Sequence, residues 1–467
     1  MHDNELLFHH GDRPPFHTSA LVAFQHVLAC FVAIIAPTII ITGALGLEAE
    51  APWLISMALL ISGVSTVIQT RRVGPLGSGL LCVQGTSFSF VAALVSAGMI
   101  ARAGGASDRE VLGVLFGLCI AGSLIEIALG SVLHHLRRII TPTVTGVVVT
   151  LIGLSLISVG VTDIAGGPNA ENPGDPLDLL LAVIVIAAVL ACQLSRRPLL
   201  RVGSVFLGLL IGCLAAALMG RMSLEGVADA PLLQLPQPLR YGLGFDIAAF
   251  IPVAFIFVIT AIETVGDLTG SSRASHLPTH GEAYQKRIRG GVLADGFNSL
   301  LAGIFNTFPN TTFSQNTGVI HLTGVASRHI GLFVGGILII LGLIPALGAL
   351  LQTIPRPVLG AATTLMFGLI AVSGIRMLAE QRMTRKRVMI IALSLGAGLG
   401  VQLVPEVLAG LPDMAQRIFS SSITTGGLLA IVMHLVLPEN QATDAPETTT
   451  TAEQGLSEPS QAQKRRP

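Results

Sequence analysis

The run from Ala20 to Leu45 contains no Asp, Glu, Lys or Arg, and apolar runs recur as far as Leu437. A stretch of this kind covers the roughly 30 Å of hydrocarbon in a bilayer when it is helical. Lipid offers no hydrogen-bond partners, so a spanning segment must satisfy its own backbone. That constraint predicts an all-α polytopic membrane protein. Only 12% of the residues are charged and 51% are hydrophobic, whereas soluble domains carry about 25% charged residues. The 52 glycines and 25 prolines fit close helix packing and interrupted spans. Net charge is zero, which argues against a nucleic-acid partner.

Apolar runs fall at about fourteen places, taking roughly 17–25 residues per crossing. Arg and Lys cluster in alternate loops, such as Arg71–Arg72, Arg196–Arg201, Lys286–Arg289 and Arg382–Arg387. This asymmetry predicts an even number of crossings with both termini cytoplasmic. The tail after Pro438 is polar and is expected to be disordered. Cys30, Cys82, Cys119, Cys192 and Cys213 lie in or beside apolar runs without metal-ligand spacing. They read as packing residues. No metal and no cofactor are expected.

Two segments interrupt this apolar plan. Gly85-Thr86-Ser87-Phe88-Ser89 and Asn310-Thr311-Thr312-Phe313-Ser314 are rich in Thr and Ser and poor in helix formers. A weaker echo pairs Ile140-Thr141-Pro142-Thr143-Val144-Thr145-Gly146 with Ile354-Pro355-Arg356-Pro357-Val358-Leu359-Gly360. About seven spans per half would insert the second half upside down, the inverted-repeat plan of secondary transporters. Non-helical backbone at bilayer depth survives only where protein or a cavity surrounds it. Matching breaks therefore point to a midplane site.

Ionisable groups inside spans cost several kcal/mol and mark functional positions. The candidates are His26, Glu263, Asp267 and Asp295, with Glu126 the odd acid of the fourth span. Glu263 and Asp267 are four residues apart, so they share one helix face. Each of these acids has a plainer reading as a hydrogen-bonded or interfacial group. The run Gln315-Asn316-Thr317-Gly318 adds two amides and a glycine at a prospective helix start. Amides match the alternating donor and acceptor edge of an oxo-purine or pyrimidine. Backbone N–H groups at the helix start are free to meet a ligand. The cluster has no Arg or Lys, which disfavours a strongly anionic cargo. HExxH is absent and no Ser/His pair stands out, so an intramembrane enzyme is not expected.

Gln315 to Gly324 resembles the signature of the nucleobase–ascorbate transporter family, Gln/Glu/Pro-Asn-x-Gly-x-x-x-x-Thr-Arg/Lys/Gly, at every fixed position. Gln25-His26, Gln84 to Phe90, Glu263 to Asp267 and Gly290 to Gly296 are similar to the family as well. Asp12 to Phe16 and Ile139 to Val144 resemble its bacterial xanthine and uric acid permeases. The resemblance implies a 14-span, 7+7 inverted repeat with short antiparallel strands interrupting spans 3 and 10. It implies a cytoplasmic N-terminus at 1–19 and a core built from 20–138 and 245–352. A gate built from 139–244 and 353–437 and a cytoplasmic tail at 438–467 complete the plan.

It further implies a homodimer in the bacterial inner membrane whose core moves like an elevator against the gate. The cargo is an oxo-purine, xanthine or uric acid, carried with a proton. A uracil or ascorbate carrier of the same family is the alternative. Substrate contacts fall to Glu263, Gln315, Asn316, Ser87, Phe88 and Phe313. Proton coupling and site organisation fall to Asp295, His26, Asp267 and Gly318. Xanthine-selective relatives carry Asn where this chain has Ser87, which leaves room here for the oxidised C8 of urate.

Overall fold

A computed structural model describes residues 6–136, 141–167, 170–222 and 233–438. The chain is mostly helical. Its first part runs α1 (Phe16–Leu45), α2 (Ala51–Arg71), β1 (Gln84–Thr86), α3 (Val91–Ala103) and α4 (Asp108–Leu136). Then come α5 (Pro142–Ile164), α6 (Pro176–Gln193), α7 (Pro198–Val202) and α8 (Ser204–Leu218). The second part holds α9 (Ile247–Ala274), α10 (Gly281–Ile304), β2 (Asn310–Thr312), α11 (Gln315–Thr323), α12 (His329–Gly342) and α13 (Pro345–Gln352). It closes with α14 (Arg356–Ala379), α15 (Arg385–Leu403), α16 (Asp413–Phe419) and α17 (Ser422–Val436).

Among the described residues eight helices are long and apolar enough to cross a membrane, or nine if the bent pair α12–α13 counts as one. This is fewer than the fourteen crossings read from hydropathy. The third and tenth candidates are shortened because their first parts are strand, not helix. The eleventh turns through 78° between α12 and α13, where Pro345 cannot donate the helical hydrogen bond. The helices that remain short, such as α8 and α17, have apolar sequences but fewer residues.

Boundaries follow local chemistry. The α1 helix starts at Phe16, inside the segment assigned to the terminus, and stops where Gly46 takes φ 65°. Asp246 caps α9 by accepting from the Ala249 amide at 2.8 Å. Burial sorts the helices. The most apolar windows of α1 and α2 are 78% buried, whereas those of α6 and α15 are 22% buried. The latter two therefore present most of their apolar surface outward, as lipid-facing helices do.

Helices α5, α6, α8, α14, α15 and α17 pack chiefly on one another. A second set joins α1 and α2 to α12, and α4 to α9 and α10. The α5–α14 pair approaches at glycine: a Cβ on Gly360 would stand 2.6 Å from the Ile164 amide nitrogen. The proposed flank at 139–140 and the tail from 439 onward lie outside the described residues. The five cysteines are free, three of them buried.

Candidate functional site

Strands β1 and β2 form an antiparallel pair, with Gln84 opposite Thr312, Gly85 opposite Thr311 and Thr86 opposite Asn310. The pairing runs on at both ends, from Ser87 N to Pro309 O at 3.0 Å and from Phe313 N to Val83 O at 3.0 Å. Two interruptions far apart in sequence thus satisfy each other's backbone, which is what burial at depth requires. All six strand residues are buried. Gly85 is obligatory here: a Cβ would stand 2.6 Å from Phe313 Cζ and 2.7 Å from Ile34 Cγ1. Each strand runs into a helix start. Ser87 accepts from the Ser89 amide at 3.3 Å at the first, and α11 begins at Gln315 after the second.

Asp295 of α10 fastens this pair. Its carboxylate accepts from Gln84 Nε2 at 2.8 Å, Thr264 Oγ1 at 2.5 Å and the Thr312 amide at 3.1 Å. Thr312 Oγ1 at 3.1 Å and Gln69 Nε2 at 3.3 Å complete the shell. Gln84 Nε2 also donates to Thr312 Oγ1 at 2.7 Å. One fully buried acid therefore ties α2, α9 and α10 to both strands. Sequence reasoning singled out Asp295 but neither Gln69 nor Thr312 as its partners. An amide inside the otherwise apolar α2 was the available signal.

Glu263 has a different environment. It is half-buried and accepts a bond of 3.3 Å from Ser89 Oγ. Asp267 lies one turn on, within electrostatic reach of both Glu263 and Asp295. Between them Gly266 is exposed, with open space where a Cβ would stand. Ser271 and Thr317 Oγ atoms, 3.2 Å apart, join this helix to α11.

Gln315 and Gly318 are exposed while Asn316 is buried. Gln315 and Gly318 line a cavity of about 510 Å³, together with Ala29, Val32, Gln193 and Arg201. That volume lies in the range of small-molecule sites, about 300–1,000 Å³. Asn316 donates to the Leu81 carbonyl and sits within interaction range of the buried His26 ring. Neither His26 nitrogen has a hydrogen-bond partner among the described residues. Phe88 packs edge-on against Phe367 of α14, centroids 5.3 Å apart. Phe313 covers Gly85.

The structure therefore gathers Ser87, Phe88, Phe313, Asn316, His26 and Asp295 at the strand junction, and Glu263 reaches it through Ser89. Gln315 and Gly318 face the cavity, which Glu263 does not line. A second cavity of about 270 Å³ lies further along α1, at Thr42 and Gly43. There Arg356 pairs with Glu48 at 2.9 Å and Asp163 at 3.8 Å. Burial raises the Tyr241 hydroxyl above its usual range in the loop before α9, where it donates to Glu50 at 2.5 Å. No metal-binding group of three or more ligands occurs among the described residues.

The chain as a whole has known relatives. The sequence profile described as the permease family matches residues 17–407. The xanthine permease XanP of Escherichia coli K12 is 46% identical over 93% of this chain and 95% of its own length. The xanthine permease XanQ of the same strain is 40% identical over 93% and 94%. The uric acid permease PucJ of Bacillus subtilis is 32% identical over 89% and 91%. Among solved structures, the murine anion transporter Slc26a9 in its inward-facing state superposes with a TM-score of 0.60 at 14% identity. That superposition covers 91% of this chain and 69% of the other. The chain belongs to this permease family, the nucleobase–ascorbate transporters, and is a multi-pass membrane protein, not an enzyme.

Proposed function

We propose that this permease-family member imports oxo-purine nucleobases, xanthine and uric acid, across the bacterial cytoplasmic membrane together with a proton. The observation that carries this reading is the paired break. Two strands cross-brace each other beside an acid that is short of partners, and the helix start after β2 opens on a cavity. Names and overall identity of the relatives support the purine class.

In this reading the Glu263 carboxylate accepts from ring N–H groups. The Gln315 amide pairs with the neighbouring polar edge, and Phe88 and Phe313 pack on the ring faces. Buried Asn316 and His26 hold the start of α11 in place. Fourteen spans in two inverted halves fit the order of elements if β1–α3, α7–α8, β2–α11, α12–α13 and α16–α17 each count as one. The two sets of packed helices support a core of 20–138 with 245–352 against a gate of 139–244 with 353–437. The core then slides past the gate, and Phe88 on Phe367 and Arg356 on Glu48 are contacts that must part. Both termini face the cytoplasm, and two copies associate as a homodimer.

Uptake in a strain lacking purine transporters tests this. The panel is xanthine, urate, hypoxanthine, uracil and ascorbate, with and without a protonophore. Xanthine or urate accumulation that collapses with the protonophore is expected. Accumulation of uracil or ascorbate alone would overturn the substrate class. A carrier tuned to xanthine would ignore millimolar urate, so competition by urate checks the role of Ser87.

A further inference from the structure

The α4 helix carries an acid that the substrate site does not use. Glu126 is 0% exposed, and neither carboxylate oxygen has a hydrogen-bond partner among the described residues. Its backbone is pressed against α10: a Cβ on Gly296 would stand 3.1 Å from the Glu126 carbonyl carbon. Gly296 directly follows Asp295. The groups that face Glu126 are Thr260 and Glu263 from α9 and Asp295 from α10. No basic residue faces it among the described residues. The cation of α3, Arg102, is engaged elsewhere, with the Leu45 carbonyl and Asp108.

An unpaired carboxylate in such a place costs several kcal/mol, and two further carboxylates repel it. A protonated acid of the same shape avoids both costs. The position is therefore stable only while it holds a proton, and any event that redistributes charge at Glu263 or Asp295 acts on that proton.

We propose that Glu126 is a proton-carrying residue of the transport cycle, exchanging its proton in step with the occupancy of Glu263. The proposal rests on the proton-coupled reading of this permease. The carboxyl gains a proton from solvent on one side of the membrane, holds it while the purine occupies the site, and returns it to solvent on the other side. A residue that only filled space would work equally well as glutamine, which has the same shape and no exchangeable charge.

Purified protein in proteoliposomes decides the matter. With wild-type protein an imposed inward proton gradient drives xanthine or urate accumulation, by about tenfold per pH unit for one coupled proton. If it does not, the coupled reading itself fails and takes the proposal with it. Glu126→Gln is expected to lose the gradient-driven accumulation and flatten the pH profile, while purine counterflow persists. A Glu126→Gln protein with wild-type gradient-driven accumulation and pH profile overturns the proposal and leaves proton symport standing. Loss of counterflow as well, at wild-type amounts in the membrane, assigns Glu126 to structure and also overturns it. Should that variant not reach the membrane, Thr260→Val decides. It removes the hydroxyl beside the acid, so a displaced pH midpoint of uptake supports the proposal and an unmoved midpoint refutes it.

Discussion

Asp295 and Glu263 sit on adjacent helices beside the same strand pair, yet one is saturated with donors and the other nearly bare. Asp295 accepts from Gln84, Thr264, Thr312 and Gln69. Glu263 has Ser89 at 3.3 Å. Hydrogen bonds to a charged group contribute about 1.5–3 kcal/mol each, so a saturated carboxylate holds its neighbours in place. A bare one keeps its capacity for something that arrives. Under the proposed function, the contrast separates the acid that builds the site from the acid that meets the cargo.

Removing each acid tests the contrast most severely. Asp295→Ala strands the Gln84, Thr264 and Thr312 donors and should cost about 3–5 kcal/mol. The expected result is little folded transporter, read by its amount in the membrane and its thermal unfolding. Glu263→Gln should instead leave the folded amount unchanged and lower accumulation at least ~100-fold, about 2.7 kcal/mol of lost interaction. Wild-type uptake by that variant, or its loss from the membrane, would erase the distinction.

A smaller effect is expected where the strands meet. Gly85→Ala pushes a methyl into Phe313 and Ile34 and should cost about 1–3 kcal/mol, lowering the unfolding temperature without changing which purine wins a competition. Smaller still is Ser89→Ala. It removes the Glu263 bond, worth about 1 kcal/mol, and should raise KM for the purine several-fold while folding is untouched. The subtlest change is Ser87→Asn, which should shift the urate-to-xanthine uptake ratio toward xanthine at similar total transport.

Much of this was legible in the residues. The unbroken apolar runs declare the helices, and the Gln315-Asn316-x-Gly318 run declares the family. The two Thr- and Ser-rich breaks were visible as breaks. Their register was not, because pairing of Gln84 with Thr312 depends on how α2, α9 and α10 stack, which no local pattern records. The same holds for the Asp295 shell. Its donors come from positions up to 226 residues away, and a Gln or Thr in a span reads as an ordinary polar packing residue until its partner is known. Hydropathy also does not show where a crossing is broken. It scores the apolar content of a run such as Ile330–Leu350 and is blind to the 78° turn within it.

The glycine seam between α5 and α14 has a bearing on any motion of the protein. Gly360 brings backbone against backbone at Ile164, with no side chains in between to act as a sliding surface. Two rods welded in this way must travel, or stand still, as one piece. In the proposed cycle the stationary frame is then set by a handful of residues that carry no side chain at all, and a single methyl added there would pry the frame open.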